Sequence, residues 1–443
     1  MQVLQDNLLR YDADALVDAV LLTARNGQLP EGTRLPTITQ TAQALGLSTS
    51  TVSRAWANLV QMGVIETRRR GGTFVARPVE ATSYRFKGYD REQFRYFLSP
   101  GYPDTTLQVD LAKMLLRVAE QATFPGYPGN RTITEPLHEA LLARVGYLPE
   151  AMLLDTEIIG ALPRILQAVS HRGAAIGVGN PEFPLYNVIL RQAGMAPAPI
   201  GFSEGGYDLA ALDRALAGGV RVVLLQTRVH NPTGRLVPTE NLEGIAASLR
   251  RHDATAIEID HHGALAPEAD VRLARLAPER TVLLSSFSKD IHPDVRVSAI
   301  TGPRPIIERM SFWRAGGQWV SSVNRALLEA CLTDPEVEGV IARARAEYDR
   351  RRKVFRDALQ RRGIESRSNA GLSFWVPVAS EQETLLRLAS QGISVAEGAA
   401  FATGPRARPH VHLSLGCVGE EAKLLSELVA DAAAAVPGTP RFF

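Results

Sequence analysis

Between residues 174 and 302 the chain repeats one pattern: a short run of Val, Ile and Leu, then polar residues, then a segment with helical spacing. The runs are AAIGVGN, RVVLLQT, ATAIEID, TVLLSSFS and VSAITG. Short apolar runs that alternate with helices are typical of strands in a mostly parallel sheet that is buried on both faces. The pattern predicts an α/β domain whose ligands bind at the carboxyl ends of the strands.

Length and composition limit the class of protein. A chain of 443 residues is expected to form two or three domains. Its formal net charge of +2 means that any surface for nucleic acid has to be local. Only two cysteines occur, without a C-x-x-C pair, which favours a reducing cytosol over disulfides or structural zinc. No signal peptide or membrane-spanning run is recognisable, so we expect a cytoplasmic protein that does not contact a membrane.

Residues 10–76 follow a different pattern, with three helical segments ahead of a basic hairpin. TITQ at 37–40 has the form of a capping box that opens the second helix, and Gly46 allows the turn after it. Ser48 is expected to cap the third helix. The inward stripe of that helix is predicted to be Val52, Trp56, Leu59 and Met62. A glycine turn between two helices is the geometry that places the second helix in the major groove of DNA.

The opposite face of the third helix carries small hydroxyl groups and one arginine, which can approach phosphates and base edges. These residues are Thr49, Ser50, Thr51, Ser53 and Arg54. VIETRRRGGTFVA at 64–76 alternates like a strand pair around a glycine turn and concentrates arginines at 68–70. A small helical domain with a solvated arginine run is the alternative, but the order of the elements favours DNA binding.

This segment resembles the winged helix-turn-helix of GntR-type repressors. By that resemblance the arginine before LP, the start of the recognition helix and the glycine-threonine of the wing contact DNA. The residues implied are Arg34, Thr49, Thr51, Arg54, Gly72 and Thr73. The chain departs from the family at Thr39, where many members have an arginine that contacts a phosphate or a base.

Residues 77–97 are mainly polar and have neither a helical nor a strand period. We interpret them as a linker between a DNA-binding domain at 1–76 and the α/β domain at 98–443.

Polar residues follow three of the apolar runs, and the carboxyl ends of parallel strands meet at one edge of a sheet. They are Asn231 in NPTG, Asp260 and His262 in IEIDHH, and Ser286, Ser288 and Lys289 in SSFSKD. Upstream, IIGALPRIL places Gly160 and Ala161 at a helix N-terminus, where backbone N–H groups can hold a phosphate.

Pyridoxal phosphate is the cofactor that needs such a set. A partly desolvated lysine, here Lys289, forms a Schiff base with its aldehyde. A carboxylate next to the pyridine nitrogen keeps that nitrogen protonated, an amide hydrogen-bonds the ring hydroxyl and an arginine pairs with the phosphate. These roles fall to Asp260, Asn231 and Arg296 in that order. Each residue alone has a simpler explanation, such as a surface lysine, a turn, a helix cap or a weak metal site at the histidine pair, but their joint order favours the cofactor.

The order Asn-Pro-Thr-Gly, Asp, Ser-x-Ser-Lys and Arg resembles that of fold-type I aminotransferases. With the GntR-type segment in front, the chain from about residue 9 to 416 resembles a MocR-type regulator. Such regulators are homodimers with cofactor sites at the subunit interface. The resemblance implies that Tyr127 reaches the phosphate held in the partner subunit's site and that Phe183 stacks on the cofactor ring.

Two departures from the aminotransferase pattern bear on chemistry. His262 stands where the family usually has a tyrosine, and we expect it to donate a hydrogen bond and to titrate near neutral pH. His412 in HVHLSLG stands where the family has the arginine that clamps a substrate carboxylate. Arg408 or Arg406 is the candidate replacement for that arginine. An effector without an α-carboxylate is therefore one of the possibilities.

Three functions stay open. A transcriptional regulator that senses an amine, an amino acid or the cofactor itself through a Lys289 aldimine is favoured, because a metabolic enzyme has no need of a DNA-binding domain. The second is an aminotransferase, for which the missing carboxylate arginine predicts little or no steady-state turnover. The third is a DNA-binding protein without cofactor, which the complete set around Lys289 disfavours. The expected partners are a double-stranded DNA operator, a second copy of the chain and a small amine or amino acid.

Overall fold

The computed structural model describes most of the chain. The ranges are 4–5, 8, 11–25, 28–30, 32–61, 64–68, 71–75, 94–121, 124, 133–203, 205–267, 271–313, 319–405 and 408–435. The chain divides into two compact units, of which the first contains 1–87, 172–174 and 188–196 and the second contains the other residues. Most of the predicted linker, 77–93, lies outside the described ranges, and the domain boundaries stay a prediction.

The N-terminal part of the first unit has three helices followed by a strand pair. These elements are α1 (Ala13–Arg25), α2 (Ile38–Leu45), α3 (Thr49–Gln61), β1 (Ile65–Arg68) and β2 (Gly72–Val75). The two strands pair in antiparallel register, from Ile65 opposite Val75 to Arg68 opposite Gly72. The predicted order of helices, turn and hairpin is confirmed.

The local signals at the start of α2 and α3 act as predicted. Gln40 N–H donates to Thr37 Oγ1 at 3.3 Å, and Thr37 N–H donates back to Gln40 Oε1 at 3.0 Å, which completes the capping box. Gly46 follows α2 with a φ of 65°, a left-handed conformation that glycine adopts without steric cost. Thr51 N–H then donates to Ser48 Oγ at 3.0 Å. Each bond satisfies an N–H group that a helix start leaves unpaired.

The inward face of α3 joins the core of this part of the chain. Val52, Trp56 and Leu59 are buried, as predicted, in one cluster with apolar residues of α1 and with Ile65 of β1. The fourth predicted member of the stripe, Met62, lies outside the described residues, as do the wing arginines 69 and 70.

The rest of the chain alternates strands and helices. The strands are β3 (Tyr96–Phe97), β4 (Ala151–Asp155), β5 (Ala175–Asn180), β6 (Ala196–Ser203), β7 (Gly206–Tyr207), β8 (Val222–Leu225), β9 (Val229–His230), β10 (Arg235–Leu236), β11 (Thr255–Asp260), β12 (Thr281–Ser286), β13 (Ser298–Gly302), β14 (Ser373–Pro377), β15 (Ile393–Ser394), β16 (Ala396–Glu397) and β17 (His410–Ser414). The helices are α4 (Leu111–Gln121), α5 (Glu135–Val145), α6 (Ile158–Val169), α7 (Pro184–Gln192), α8 (Leu209–Ala217), α9 (Thr239–Arg251), α10 (Leu273–Leu276), α11 (Arg304–Trp313), α12 (Ser322–Thr333), α13 (Pro335–Gln360), α14 (Glu381–Ser390) and α15 (Ala422–Ala434).

The main sheet has eight strands in the order β4-β13-β12-β11-β8-β5-β6-β7. β12, β11, β8 and β5 are parallel neighbours, whereas β13 is antiparallel to both β12 and β4. The five apolar runs of the sequence form β5, β8, β11, β12 and β13, so the predicted mostly parallel sheet is confirmed. All residues of β8 and β12 are buried, which explains why their sequences are apolar on both faces.

The sequence patterns did not single out β4, β6 or β7. β6 contains Pro197 and Pro199, which a strand near the sheet edge tolerates but which weaken the strand signal. A second, three-stranded sheet of β14, β17 and β16 in the C-terminal part of the chain was not predicted either. Among the described residues, no helix combines the length and the apolar composition that a membrane span requires.

Strand direction places several loops at one edge of the main sheet. β4 and β12 both run antiparallel to β13 and therefore run parallel to each other. The loops that follow β4, β8, β11 and β12 consequently start at the same edge. These loops begin with Thr156, Gln226, His261 and Phe287.

Replacement of Thr37 by Ala should weaken α2 locally, because the capping box loses its side-chain acceptor. The expected cost is about 1 kcal/mol, so amides of residues 38–45 should exchange their hydrogens about fivefold faster. Hydrogen exchange of the intact protein, read by mass spectrometry, measures this. Gln43→Ala, at an exposed position of the same helix, is the control and should leave the exchange rate unchanged. Equal exchange in Thr37→Ala and the control would contradict the prediction.

Candidate functional site

Lys289 lies in the loop after β12, close to several ionisable groups. Its charge contributes to the low pKa of His261, His262 and His412, and it interacts with the carboxylate of Asp260. Burial lowers the pKa of Lys289 to about 8, although Asp260 acts in the opposite direction. At pH 7 the uncharged, nucleophilic form of this amine is therefore on the order of a tenth of the total.

Small residues surround the lysine. A Cβ placed on Gly101 would lie 3.7 Å from Lys289 Nζ, so the backbone at Gly101 approaches the amine closely. Ser286 and Ser288 share a hydrogen bond of 2.9 Å between their hydroxyl groups, and Ser288 N–H donates to Ser286 Oγ at 3.2 Å. The predicted serines thus form a compact hydroxyl pair immediately before the lysine.

Asp260 is a buried carboxylate that two arginines hold. Its Oδ2 accepts from Arg272 Nη1 at 2.7 Å and from Arg228 Nη1 at 3.3 Å. Its Oδ1 accepts the backbone N–H groups of His262 at 3.1 Å and Gly263 at 2.9 Å. Burial alone raises the pKa of Asp260, but the two guanidinium groups and the backbone donor lower it far below its ordinary value. The carboxylate is therefore ionised at every pH at which the protein works.

Asn231 follows β9 within the predicted NPTG turn. Its backbone carbonyl accepts from Gln226 Nε2 at 2.9 Å, while its side-chain Oδ1 is buried without a hydrogen-bond partner among the described residues. Gly234 closes the turn with a φ of +61°, and a Cβ there would lie 2.0 Å from the backbone oxygen of Ser373. Glycine is required at 234 because the turn packs directly on β14.

The histidine pair after Asp260 lies among aromatic side chains. Tyr186 Oη and His261 Nε2 are 2.6 Å apart, and the rings of Phe183 and Tyr186 meet edge to face with centroids 5.3 Å apart. Phe183 also lies 6.1 Å from His261, measured between ring centroids. The predicted stacking residue is thus beside the histidine pair.

The expectation that His262 titrates near neutral pH is wrong. His262 is fully buried, and burial together with the charge of Lys289 lowers its pKa well below the usual value. The imidazole therefore stays neutral. Its two ring nitrogens have no hydrogen-bond partner within the described parts of the chain, so it retains one donor and one acceptor.

The predicted phosphate-binding groups meet at the start of α6. Gly160 and Ala161 lie in the first turn of that helix, as predicted, and Glu157 is its N-cap residue. Arg296, in the loop between β12 and β13, forms an ion pair with Glu157. Both side chains are partly exposed, so solvent reaches the pair. The sequence prediction did not include Glu157.

His412 occupies an aromatic setting on β17. The rings of Phe401 and Trp375 lie 5.0 Å and 6.4 Å from its imidazole, measured between centroids. Burial lowers the pKa of His412 to about 3, and the charge of Lys289 acts in the same direction, so the ring is neutral. Arg408, the candidate replacement for a carboxylate-binding arginine, is exposed, and Arg406 lies outside the described residues.

These residues fit pyridoxal phosphate in most respects. The described residues provide a nucleophilic amine, an ionised carboxylate, a buried amide oxygen at Asn231 without a partner, a hydroxyl pair and a helix N-terminus with an arginine. The buried side chains of Asn231, His262 and His412 each have polar atoms without a hydrogen-bond partner among the described residues, and these atoms are available to a polar ligand. Glu157 is the exception, because its carboxylate lies where the phosphate group is expected. Tyr127 lies outside the described residues.

The predicted DNA contacts form two groups in the first unit. Thr49 and Arg54 are exposed on α3, whereas Thr51 is partly buried and its hydroxyl lies 2.7 Å from Ser48 Oγ. Arg34 pairs with Phe74 of β2 as an isolated bridge.

The wing and the arginine before LP lie together. Leu35 N–H donates to the carbonyl of Thr73 at 2.8 Å. Gly72 has a φ of +102°, and a Cβ there would lie 3.1 Å from Arg34 Nε. The exposed guanidinium of Arg34 therefore lies beside the start of β2, and the contacts predicted at 34, 72 and 73 share one surface.

Comparisons with known proteins agree with this geometry. Residues 110–424 match the family described as aminotransferase class I and II, and residues 14–75 match bacterial regulatory proteins of the gntR family. The vitamin B6 salvage pathway transcriptional repressor PtsJ of Salmonella typhimurium is 29% identical over 398 residues, which cover 88% of this chain and 91% of that protein. The HTH-type pyridoxine biosynthesis transcriptional regulator PdxR of Corynebacterium glutamicum is 26% identical over 409 residues, 86% of each chain.

A solved structure supports the fold of the larger domain. The kynurenine aminotransferase of Pyrococcus horikoshii superposes with a TM-score of 0.71 at 18% identity, over 81% of this chain and 94% of that chain.

A winged helix followed by a fold-type I aminotransferase domain defines a transcriptional regulator with an aminotransferase-like domain. The chain belongs to the aminotransferase class I and II family, and its gntR-type segment gives it the architecture of a MocR-type regulator.

Several residues of the site were not found from the sequence. Arg228 lies between β8 and β9, and Arg272 lies between β11 and α10; nothing in their local sequence indicates that they meet at Asp260. Glu157, by contrast, stands directly before the predicted phosphate-binding helix in DTEIIG, so the sequence alone could have identified a carboxylate at that position.

Labelling of Lys289 by a trace amount of an amine-selective reagent should follow its lowered pKa. Because only the neutral amine reacts, the labelling rate should rise through about pH 8 and level off above it. Mass spectrometry of the intact protein's peptides measures this, with the exposed Lys423 as internal control. If Lys289 and Lys423 showed parallel pH profiles, the amine would not be perturbed as described.

Proposed function

We propose that this protein is a cytoplasmic, pyridoxal phosphate-dependent transcriptional regulator, which senses an amine, an amino acid or the cofactor itself at Lys289. The observation that carries the proposal is a lysine amine with a pKa of about 8 beside a permanently ionised carboxylate, in a chain with a winged helix. An amine of that kind can react with a carbonyl group at neutral pH.

Pyridoxal phosphate, when bound, supplies an aldehyde that condenses with one amine and can exchange it for another. In the proposal, Lys289 provides the resident amine. Asp260 would face the ring nitrogen, Asn231 would donate its amide to the ring hydroxyl, and Phe183 would lie against the ring. The phosphate would be held by Ser286, Ser288, Arg296, Gly160 and Ala161, with Tyr127 contributed to the partner subunit's site in a homodimer. His262 offers a neutral hydrogen-bonding group next to the lysine.

Two features favour sensing over catalytic turnover. The guanidinium groups of Arg228 and Arg272 offset the charge of Asp260, so it attracts a proton to the ring nitrogen less strongly than an isolated carboxylate would. His412 is neutral and buried, so it cannot clamp a substrate carboxylate as an arginine does. Efficient amino-group transfer depends on that positioning.

The N-terminal helix-turn-helix is proposed to bind a double-stranded DNA operator through Arg34, Thr49, Thr51, Arg54, Gly72 and Thr73. The names of two relatives bear on the signal. PtsJ is described as a repressor of vitamin B6 salvage and PdxR as a regulator of pyridoxine biosynthesis. For this chain they support the cofactor itself as one candidate for the sensed ligand.

The two proposed sites should fail independently. Lys289→Ala should abolish covalent attachment of pyridoxal phosphate, read by mass spectrometry after borohydride reduction, and leave DNA affinity in the absence of the cofactor within about threefold. Arg54→Ala should retain the covalent attachment and weaken DNA binding about tenfold, because it removes a base or phosphate contact. The DNA is a site selected from a random library by the wild-type protein, and affinity is measured by fluorescence anisotropy.

Arg361→Ala, at an exposed ion pair of the larger domain, is the control for loss of a surface charge. Normal DNA binding by Arg54→Ala would show that Arg54 does not contact DNA and that the proposed orientation of α3 on DNA is wrong. A reduced covalent adduct in Lys289→Ala would show that another amine holds the cofactor.

The aminotransferase alternative remains open because Asn231, Asp260, Lys289 and Arg296 are all present. Incubation with an amino acid and a 2-oxo acid should nevertheless give on the order of one amino-group transfer per site, since the carboxylate-binding arginine is replaced by His412. Product quantification by mass spectrometry over several hours measures the number of transfers. Sustained accumulation over many cycles would establish a working aminotransferase.

A further inference from the structure

A carboxylate lies at the end of the site that is proposed to hold a phosphate. Glu157 precedes α6, and its backbone carbonyl accepts the N–H of Ala161 at 3.0 Å, which closes the first turn. Its side chain makes no capping hydrogen bond within the described helix. Instead, its Oε2 forms an ion pair with Nη2 of Arg296.

The position of Gly160 shows where the rest of that side chain lies. A Cβ on Gly160 would be 3.4 Å from Glu157 Cγ and 3.5 Å from its Oε1. The carboxylate therefore extends along the first turn of α6, where the free backbone N–H groups favour an anion. The Glu157 carboxylate thus occupies the position in which Arg296 and the helix N-terminus would bind a phosphate.

Helix stability alone does not account for this arrangement. Negative charge near a helix N-terminus is favourable, which explains a carboxylate at position 157. It does not explain the pairing with Arg296, which comes from the loop between β12 and β13 and is the arginine proposed for the phosphate. The side chains of the pair are 39% and 48% exposed, and exposed ion pairs contribute little to folding. The pair can therefore be opened without unfolding the protein.

We propose that Glu157 is a specificity-determining residue, which competes with a ligand's phosphate for Arg296 and lowers the affinity for phosphorylated relative to unphosphorylated pyridine aldehydes. The inference rests on the proposed function, because it concerns the same site. A phosphate that reaches Arg296 has to displace the carboxylate or remain within a few ångströms of a like charge. A ligand that ends in a neutral hydroxymethyl group meets neither obstacle.

This device suits a sensor better than an enzyme. An enzyme works best with its cofactor site saturated, whereas occupancy reports a concentration only when the concentration is near the dissociation constant. By weakening the binding of the phosphate, Glu157 raises the dissociation constant of the cofactor. Occupancy then changes over a higher range of cofactor concentrations.

The experiment compares pyridoxal phosphate with pyridoxal on the full chain. Dissociation constants for both are measured by absorbance titration for the wild type, Glu157→Gln and Glu279→Gln. Glutamine keeps the size of the side chain and removes its charge. Glu279 pairs with Arg250 at an exposed position before β12, at the sheet edge opposite Lys289, and provides the matched control.

Glu157→Gln should bind pyridoxal phosphate about tenfold or more tightly than the wild type, while its affinity for pyridoxal should change less than twofold. Glu279→Gln should match the wild type for both ligands. Differences between the two aldehydes in solution cancel, because only the change on substitution is compared.

The possible failures are separable. If both aldehydes bind and the affinity ratio is the same in wild type and Glu157→Gln, the inference is overturned and the proposed function stands. If Glu157→Gln tightens both ligands equally, Glu157 acts on the site as a whole and the inference is again overturned. If neither aldehyde binds any of the three folded proteins, the proposed function falls and the inference falls with it.

Discussion

The buried ion cluster around Asp260 is the interaction on which the cofactor site depends. A carboxylate at 2% exposure is costly unless it is paired and hydrogen-bonded, and here two guanidinium groups and two backbone N–H groups meet that need. Arg228 also donates to the carbonyl groups of Gly263 and Pro267. The same contacts that keep Asp260 ionised therefore fix the loops after β8 and β11, and with them the setting of Lys289.

The parts of the structure that the sequence predicted are those that short-range chemistry decides. The capping box of Thr37 and Gln40 involves side chains three residues apart, so its form is visible in four letters. The central strands are buried on both faces, and burial of that kind leaves an unbroken apolar run. For Asp260 and Lys289, the rule that parallel strands end at one edge of the sheet predicted that the two residues lie near each other, and their charges do interact.

What the sequence did not reveal depends on contacts between distant segments. Nothing near Arg272 indicates that its guanidinium pairs with a carboxylate in another element. The protonation of His262 and His412 is decided by burial, and burial depends on the packed structure, so the ordinary pKa of histidine was a poor guide for His262. Glu157 is a different case, because its position before α6 is visible in the sequence, whereas Arg296 was predicted only as a phosphate ligand and not as the partner of Glu157.

The close approach of Gly72 to Arg34 limits how the DNA-binding surface can change. A side chain at position 72 would need both a left-handed backbone conformation and the space that the guanidinium occupies. The wing and the arginine before LP are therefore adjacent in space, although they are far apart in the chain. A side chain at position 72 would require the Arg34 guanidinium to shift, so the two positions do not vary independently of each other.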